Sequence, residues 1–124
     1  MLFLDIRSDL NHFQISTETK ANNRKDSSNQ SSLVNGQWHN VVIIRNGSSI
    51  AAYIDGETIS LTQNDGYGSW GIATNDLSIG AFTDNGSIYS YWAGSIAQIN
   101  IHNRALSAFE VLQNYNATKG RFGL

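Results

Sequence analysis

The sequence predicts an all-β fold of antiparallel strands, finished by one short C-terminal helix. Three observations predict it. Asx-Gly dipeptides recur between apolar runs, at Asn35-Gly36, Asn46-Gly47, Asp55-Gly56, Asp65-Gly66 and Asn85-Gly86. Val41-Val42-Ile43-Ile44 is a continuous β-branched run. Ser107-Ala108-Phe109-Glu110 has the Ser and Glu spacing of a helix capping box. Asx-Gly pairs tolerate positive φ and favour the tight primed turns of hairpins. β-branched side chains suit a strand. A capping box satisfies two orphan donors at a helix start.

The elements follow in order. Leu2–Ile6 and His12–Ser16 read as a hairpin; His12, Gln14 and Ser16 alternate with Phe13 and Ile15, so one face should be wet. Residues 17–32 are polar and poor in apolar side chains, and are expected to be an exposed loop within the domain. His39–Arg45, Ser49–Asp55 and Thr58–Leu61 are expected as a three-strand meander, with Val41–Ile44 central and covered on both faces. Leu77–Ala81 and Ser95–His102 read as further strands. In the second, Ala97, Ile99 and Ile101 alternate with Gln98, Asn100 and His102. The helix starts at Ser107, with Leu106 and Val111 as its hydrophobic staple, and frays near Asn116. Phe122 and Leu124 are expected to dock the tail.

With 124 residues the chain is read as a single domain, 1–124, with room for one hydrophobic core. A hydrophobic content of 40% with 15% charged residues is that of a globular chain. A net charge of -2 gives no electrostatic footprint for nucleic acid or an anionic membrane. The absence of cysteine excludes disulfides, a thiol nucleophile and a cysteine zinc site. Small extracellular modules often carry disulfides, so the composition favours a bacterial source or a particle assembled in the cytosol. Asp5 and Arg7 interrupt the apolar start too early for a signal peptide, so no export signal is expected within this chain.

Several segments resemble the laminin G-like domains of the concanavalin A-like lectin and glucanase jelly rolls. Trp38-His39-Asn40-Val41-Val42 followed by Ala52-Tyr53-Ile54-Asp55-Gly56 is similar to the family's Trp-His-x-Val strand and its Asp-Gly turn. Leu77-Ser78-Ile79-Gly80 and Trp92-Ala93-Gly94-Ser95-Ile96 look like its Ile-Gly strand and its aromatic-x-Gly-x-Ile segment. Ile101-His102-Asn103-Arg104-Ala105-Leu106-Ser107 resembles its closing strand and helix start. The resemblance covers residues 36–118 and implies an antiparallel jelly-roll β-sandwich. The N-terminal third matches poorly and reads as atypical or truncated. The ending, residues 114–123, is also similar to endings of such domains in tailed-phage virion proteins. That likeness places the expected setting on a virion surface, with an extracellular or cell-surface position in a larger protein as the alternative.

Glucanases of this fold use a Glu-x-Asp-x-x-Glu set of carboxylates, because glycoside hydrolysis needs an acid and a base or nucleophile flanking one bond. Here the glutamates are Glu18, Glu57 and Glu110, and none is followed two positions on by Asp. No Gly-x-Ser-x-Gly elbow is present. His39 and His102 are read as strand residues. The sequence therefore expects no enzyme and assigns no catalytic residue.

Two stretches carry aromatics on expected loops: Asp65–Gly71, with Tyr67 and Trp70, and Asp84–Trp92, with Tyr89. Aromatic faces stack on sugars or on protein, and amides and carboxylates bridge hydroxyls. Tyr67, Trp70, Asp84, Asn85 and Tyr89 are the expected ligand-binding residues. Trp38 and Trp92 are assigned to core packing by their family positions. The resemblance also implies a candidate rim calcium, with Asp65, Asn75, Asp76, Asp84 and Asn85 in reach, though these residue types are equally good turn formers. No other cofactor is expected. The leading reading is a non-enzymatic binding module that recognises glycans or decorates a protein assembly, as a homo-oligomer or a part of a larger structure. Its alternative is a purely structural capsid or fibre component, and glycoside hydrolysis ranks last.

Overall fold

A computed structural model of the chain describes residues 2–7, 12–17, 24–27, 33, 35–47, 49–65, 79–84 and 87–124. Through residue 27, and in parts of the strands at 61–65, 81–84 and 87–91, the backbone alone is placed. Among the described residues the strands are β1 (Leu2–Arg7), β2 (His12–Thr17), β3 (Arg24–Ser27), β4 (Val41–Asn46) and β5 (Ser49–Ile54). They continue with β6 (Glu57–Ile59), β7 (Leu61–Asp65), β8 (Ala81–Asp84) and β9 (Ser87–Tyr91). Helix α1 (Ala108–Thr118) and a 3-10 turn (Lys119–Arg121) close the chain.

The strands pair into three open antiparallel sheets, ordered β1-β2-β3-β7, β4-β5-β6 and β8-β9. Among the described residues no ladder joins one sheet to another, so the expected closed jelly-roll sandwich is replaced by open sheets and a helix. Two local features account for this. Thr58–Leu61 does not stay in one strand: β6 ends at Ile59, and the chain leaves its sheet at Ser60 to pair as β7 along β3. Ser95–His102, expected as a further strand, joins no ladder among the described residues.

Other expectations are also corrected. Arg24–Ser27 lies inside the stretch read as loop, yet it is strand β3. It is held by its backbone, between β2 and β7, which needs no apolar pattern. Ile79 and Gly80 form a bend, and the strand starts at Ala81. Leu77 and Ser78 lie outside the described residues.

The meander β4-β5-β6 supplies the core. Its register sets Val41 opposite Ile54 and Ile43 opposite Ala52, with Ala52 also facing Ile59. Strand side chains alternate, so Ile50, Ala52 and Ile54 share one face. Ala52 and Ile54 are buried there, packed by Leu33, Val41, Ile43, Ile50, Ile59 and Leu61. Strand β4 is an edge and only half-buried; the central strand is β5. Asp55 and Gly56 form the two-residue β5–β6 loop with φ of 51° and 83°, both positive as a type I′ turn requires.

Helix α1 forms as its capping box dictates. The Glu110 backbone N–H donates to Ser107 Oγ at 3.3 Å, and the Ser107 N–H donates to Glu110 Oε2 at 2.8 Å. Arg104 adds a two-pronged contact, its Nη1 and Nη2 donating to the Glu110 oxygens at 3.0 and 2.6 Å. Val111 is the buried anchor of the helix. Its ordered turns run two residues past the expected fraying point, to Thr118.

The Arg104 hydrogen bonds, with the Ser107 contacts behind them, pull the Glu110 carboxyl from its ordinary 4.5 down to about 2. A folded-state value below the unfolded one means that this stabilisation is complete above about pH 4.5 and is lost as pH falls through about 2. Glu110→Gln is therefore expected to lower the melting temperature near neutral pH. The gap from wild type should close as the pH is taken down through that window, a series readable by circular dichroism.

Candidate functional site

The expected binding residues fall unevenly on the structure. Tyr67, Trp70 and Asn85 lie outside the described residues, as do the calcium candidates Asn75 and Asp76. Asp65 ends β7, Asp84 ends β8, and Tyr89 lies within β9. In the β8–β9 hairpin Asp84 pairs with Ser87, Thr83 with Ile88, and Phe82 with Ser90. Tyr89 is thus the extra residue of a bulge. Such an insertion bends a strand and raises its twist. Among the described residues no group of three or more His, Asp or Glu is placed to hold a metal ion.

Several apolar side chains at and beside this hairpin are exposed. Ile88 and Trp92 are exposed, and Tyr91, which is not among the expected binding residues, is 75% exposed. The Trp92 backbone N–H donates to Gly80 O at 2.8 Å, tying the hairpin's exit to its entry. Ile96 Cδ1 lies 4.0 Å from where a Cβ on Gly80 would sit. The indole of Trp92 lies over Gly94, its Nε1 3.0 Å from where a Cβ would be, so glycine is what lets the ring fold back. Beyond it Ile96, Ile99 and Ile101 are all exposed, the last by 70%. The expected core role of Trp92 is corrected: it is 42% exposed.

A second group forms where the first Asx-Gly turn meets the tail. Trp38, also expected in the core, is 40% exposed and its ring lies 5.9 Å from that of Phe122, tilted by 52°. The expected docking of Phe122 is met on this ring. Arg121 sits over Phe122 at 5.6 Å, and Lys119 over Tyr115 at 5.4 Å. Asn35 Oδ1 accepts the Gln37 backbone N–H at 2.8 Å, closing an Asx turn before Trp38. The sequence signal for this group was the aromatic and basic residues of the tail.

The Trp-His-x-Val and Asp-Gly segments turn out to be bonded to one another. Asp55 Oδ2 lies 2.8 Å from His39 Nδ1, and Oδ1 accepts the Asn40 backbone N–H at 2.8 Å. The Asp55 N–H in turn donates to Asn40 O at 2.8 Å. Both carboxylate oxygens are thus taken up in holding the loop. Although Glu57 stands two residues away, Asp55 has a structural task.

Comparison with known proteins supports the fold. No curated protein matches the chain. A solved structure of an S-layer domain-containing protein from Clostridium thermocellum, residues 221–444, is similar with a TM-score of 0.54 and 22% identity. The alignment covers 91% of this chain and 61% of that one, so the chain spans under two thirds of its neighbour's length. Residues 1–112 match the Concanavalin A-like lectin/glucanases superfamily, and the chain belongs to that superfamily.

Proposed function

We propose that the protein is a non-catalytic structural module of a cell-surface assembly, held to a second copy of itself along residues 79–101. The observation that carries this is the exposed apolar series Ile79, Ile88, Tyr91, Trp92, Ile96, Ile99 and Ile101. Apolar surface gathered in one place marks an interaction site on a small domain. The stretch 95–102 alternates in sequence like a strand and joins no ladder among the described residues. Two copies running antiparallel would complete each other's ladder through a self-complementary contact. The S-layer context of the similar solved structure supports a cell-surface setting over a virion. The missing Glu-x-Asp-x-x-Glu carboxylates support a role without catalysis.

Sedimentation velocity over a concentration series tests the assembly. The wild type is expected to self-associate. Ile101→Asp sets an unpaired charge in the contact and removes an apolar side chain that contributes about 1.5–3 kcal/mol when buried, so its association should weaken by at least about tenfold. A wild type that stays monomeric throughout would overturn the proposal.

A second reading, carbohydrate binding, is favoured by the half-exposed Trp38 ring and by membership of a superfamily that includes lectins.

A further inference from the structure

We infer that the surface formed by Trp38, Gln37, Phe122, Arg121 and Lys119 binds an anionic polysaccharide. The inference rests on the carbohydrate reading and specifies its ligand. Lys119 and Arg121 each stand over an aromatic ring, and neither has a carboxylate partner among the described residues. The ion pairs there, Arg104–Glu110 and His39–Asp55, use other residues. In a chain of net charge -2 the tail thus carries two cations without an acidic partner among the described residues, Arg121 exposed and Lys119 half-buried.

Their backbone is fixed. The Phe122 and Leu124 N–H groups both donate to Lys119 O, at 3.0 and 3.1 Å, so the tail is turned back on itself. That turn sets the Phe122 ring against Trp38 and Arg121 against Phe122. The half-exposed indole offers the flat apolar face on which a sugar ring stacks. The Asx turn holds Gln37 beside it, where the side-chain Nε2 has no partner among the described residues and can donate to a hydroxyl. Lys119 and Arg121 then meet a carboxylate or sulfate on the same chain. An acidic peptide would use the cations but would leave the indole face and the amide without a sugar to read.

The test is isothermal titration of the full chain with polygalacturonate, dextran sulfate, neutral dextran and polyglutamate. Binding to one of the two anionic polysaccharides is expected, the better one telling carboxylate from sulfate, and it should weaken as salt rises. Removing both cations, in a Lys119→Gln/Arg121→Gln variant, is expected to lower the affinity at least about tenfold. Trp38→Tyr, which keeps a ring for Phe122, should weaken binding with the circular dichroism spectrum unchanged. Polyglutamate bound as tightly, or a double variant that binds like wild type, overturns the inference. Equal binding to neutral dextran overturns it while leaving the carbohydrate reading standing. No binding to any polysaccharide overturns both.

Discussion

Asp55→Ala is expected to destabilise the protein by about 2–4 kcal/mol, the sum of an unpaired amide and a strained backbone. The carboxylate holds two groups from the start of the first core strand: the Asn40 N–H at 2.8 Å and His39 Nδ1 at 2.8 Å. Removing it leaves a partly buried N–H without an acceptor, which costs about 1–3 kcal/mol. Asp55 also stands at φ 51°, where Asp and Asn are tolerated and alanine adds roughly 1 kcal/mol or more. Asp55→Asn keeps the turn and an oxygen for the Asn40 N–H, and loses only the ionised acceptor, so about 1 kcal/mol is expected. Urea titration separates the two, as a shift in midpoint at unchanged slope. Equal losses in the two variants would show that neither the positive φ nor the acceptor for the Asn40 N–H carries the effect. The effect should not stay local. Asp55 joins the Trp38–Asn40 segment to the β5–β6 loop, and that loop carries the contact with helix α1.

What the sequence revealed was local, and the reasons are physical. The β4–β5 and β5–β6 hairpins were legible because Gly47, Asp55 and Gly56 have positive φ, a demand that few residue types meet. Helix α1 was legible because Ser107 and Glu110 satisfy each other's backbone at fixed spacing. Strand β3 was not, since Arg24-Lys25-Asp26-Ser27 is paired through its backbone and shows no apolar period. Ser95–His102 misled in the opposite direction. Its alternation reports what the side chains favour and cannot report whether a strand lies alongside. Closing a sandwich depends on such distant pairings, so the family pattern named the superfamily while the described ladders stayed open. The candidate site followed the same logic. Tyr89 and Tyr91 were indistinguishable as letters, and the bulge in β9 was invisible. Trp38 was assigned to the core by family position, whereas its ring is shared between Phe122 and solvent.

Gly56→Ala should cost about as much as Asp55→Ala, by a different route. At φ 83° a side chain is strained by about 1–2 kcal/mol whatever surrounds it. The space is also occupied: a Cβ there would lie 2.9 Å from Tyr115 Cδ1 and 3.1 Å from Leu112 Cδ1. Overpacking of this kind adds roughly 1–3 kcal/mol, for about 2–5 kcal/mol in all. Gly47→Ala is the control, because φ there is 59° and nothing lies within 4 Å of the added carbon. It should show the backbone cost alone, about 1–2 kcal/mol. The clash can be relieved from the other side. In a Tyr115→Ala background most of the packing penalty of Gly56→Ala should vanish, so the two changes would be non-additive. Additivity there would mean that the turn and the helix are not in contact in solution. Tyr115 also carries the ring under Lys119. A Gly56 variant that pushes the helix outward should therefore weaken anionic polysaccharide binding as well as stability, whereas Gly47→Ala should leave that binding unchanged.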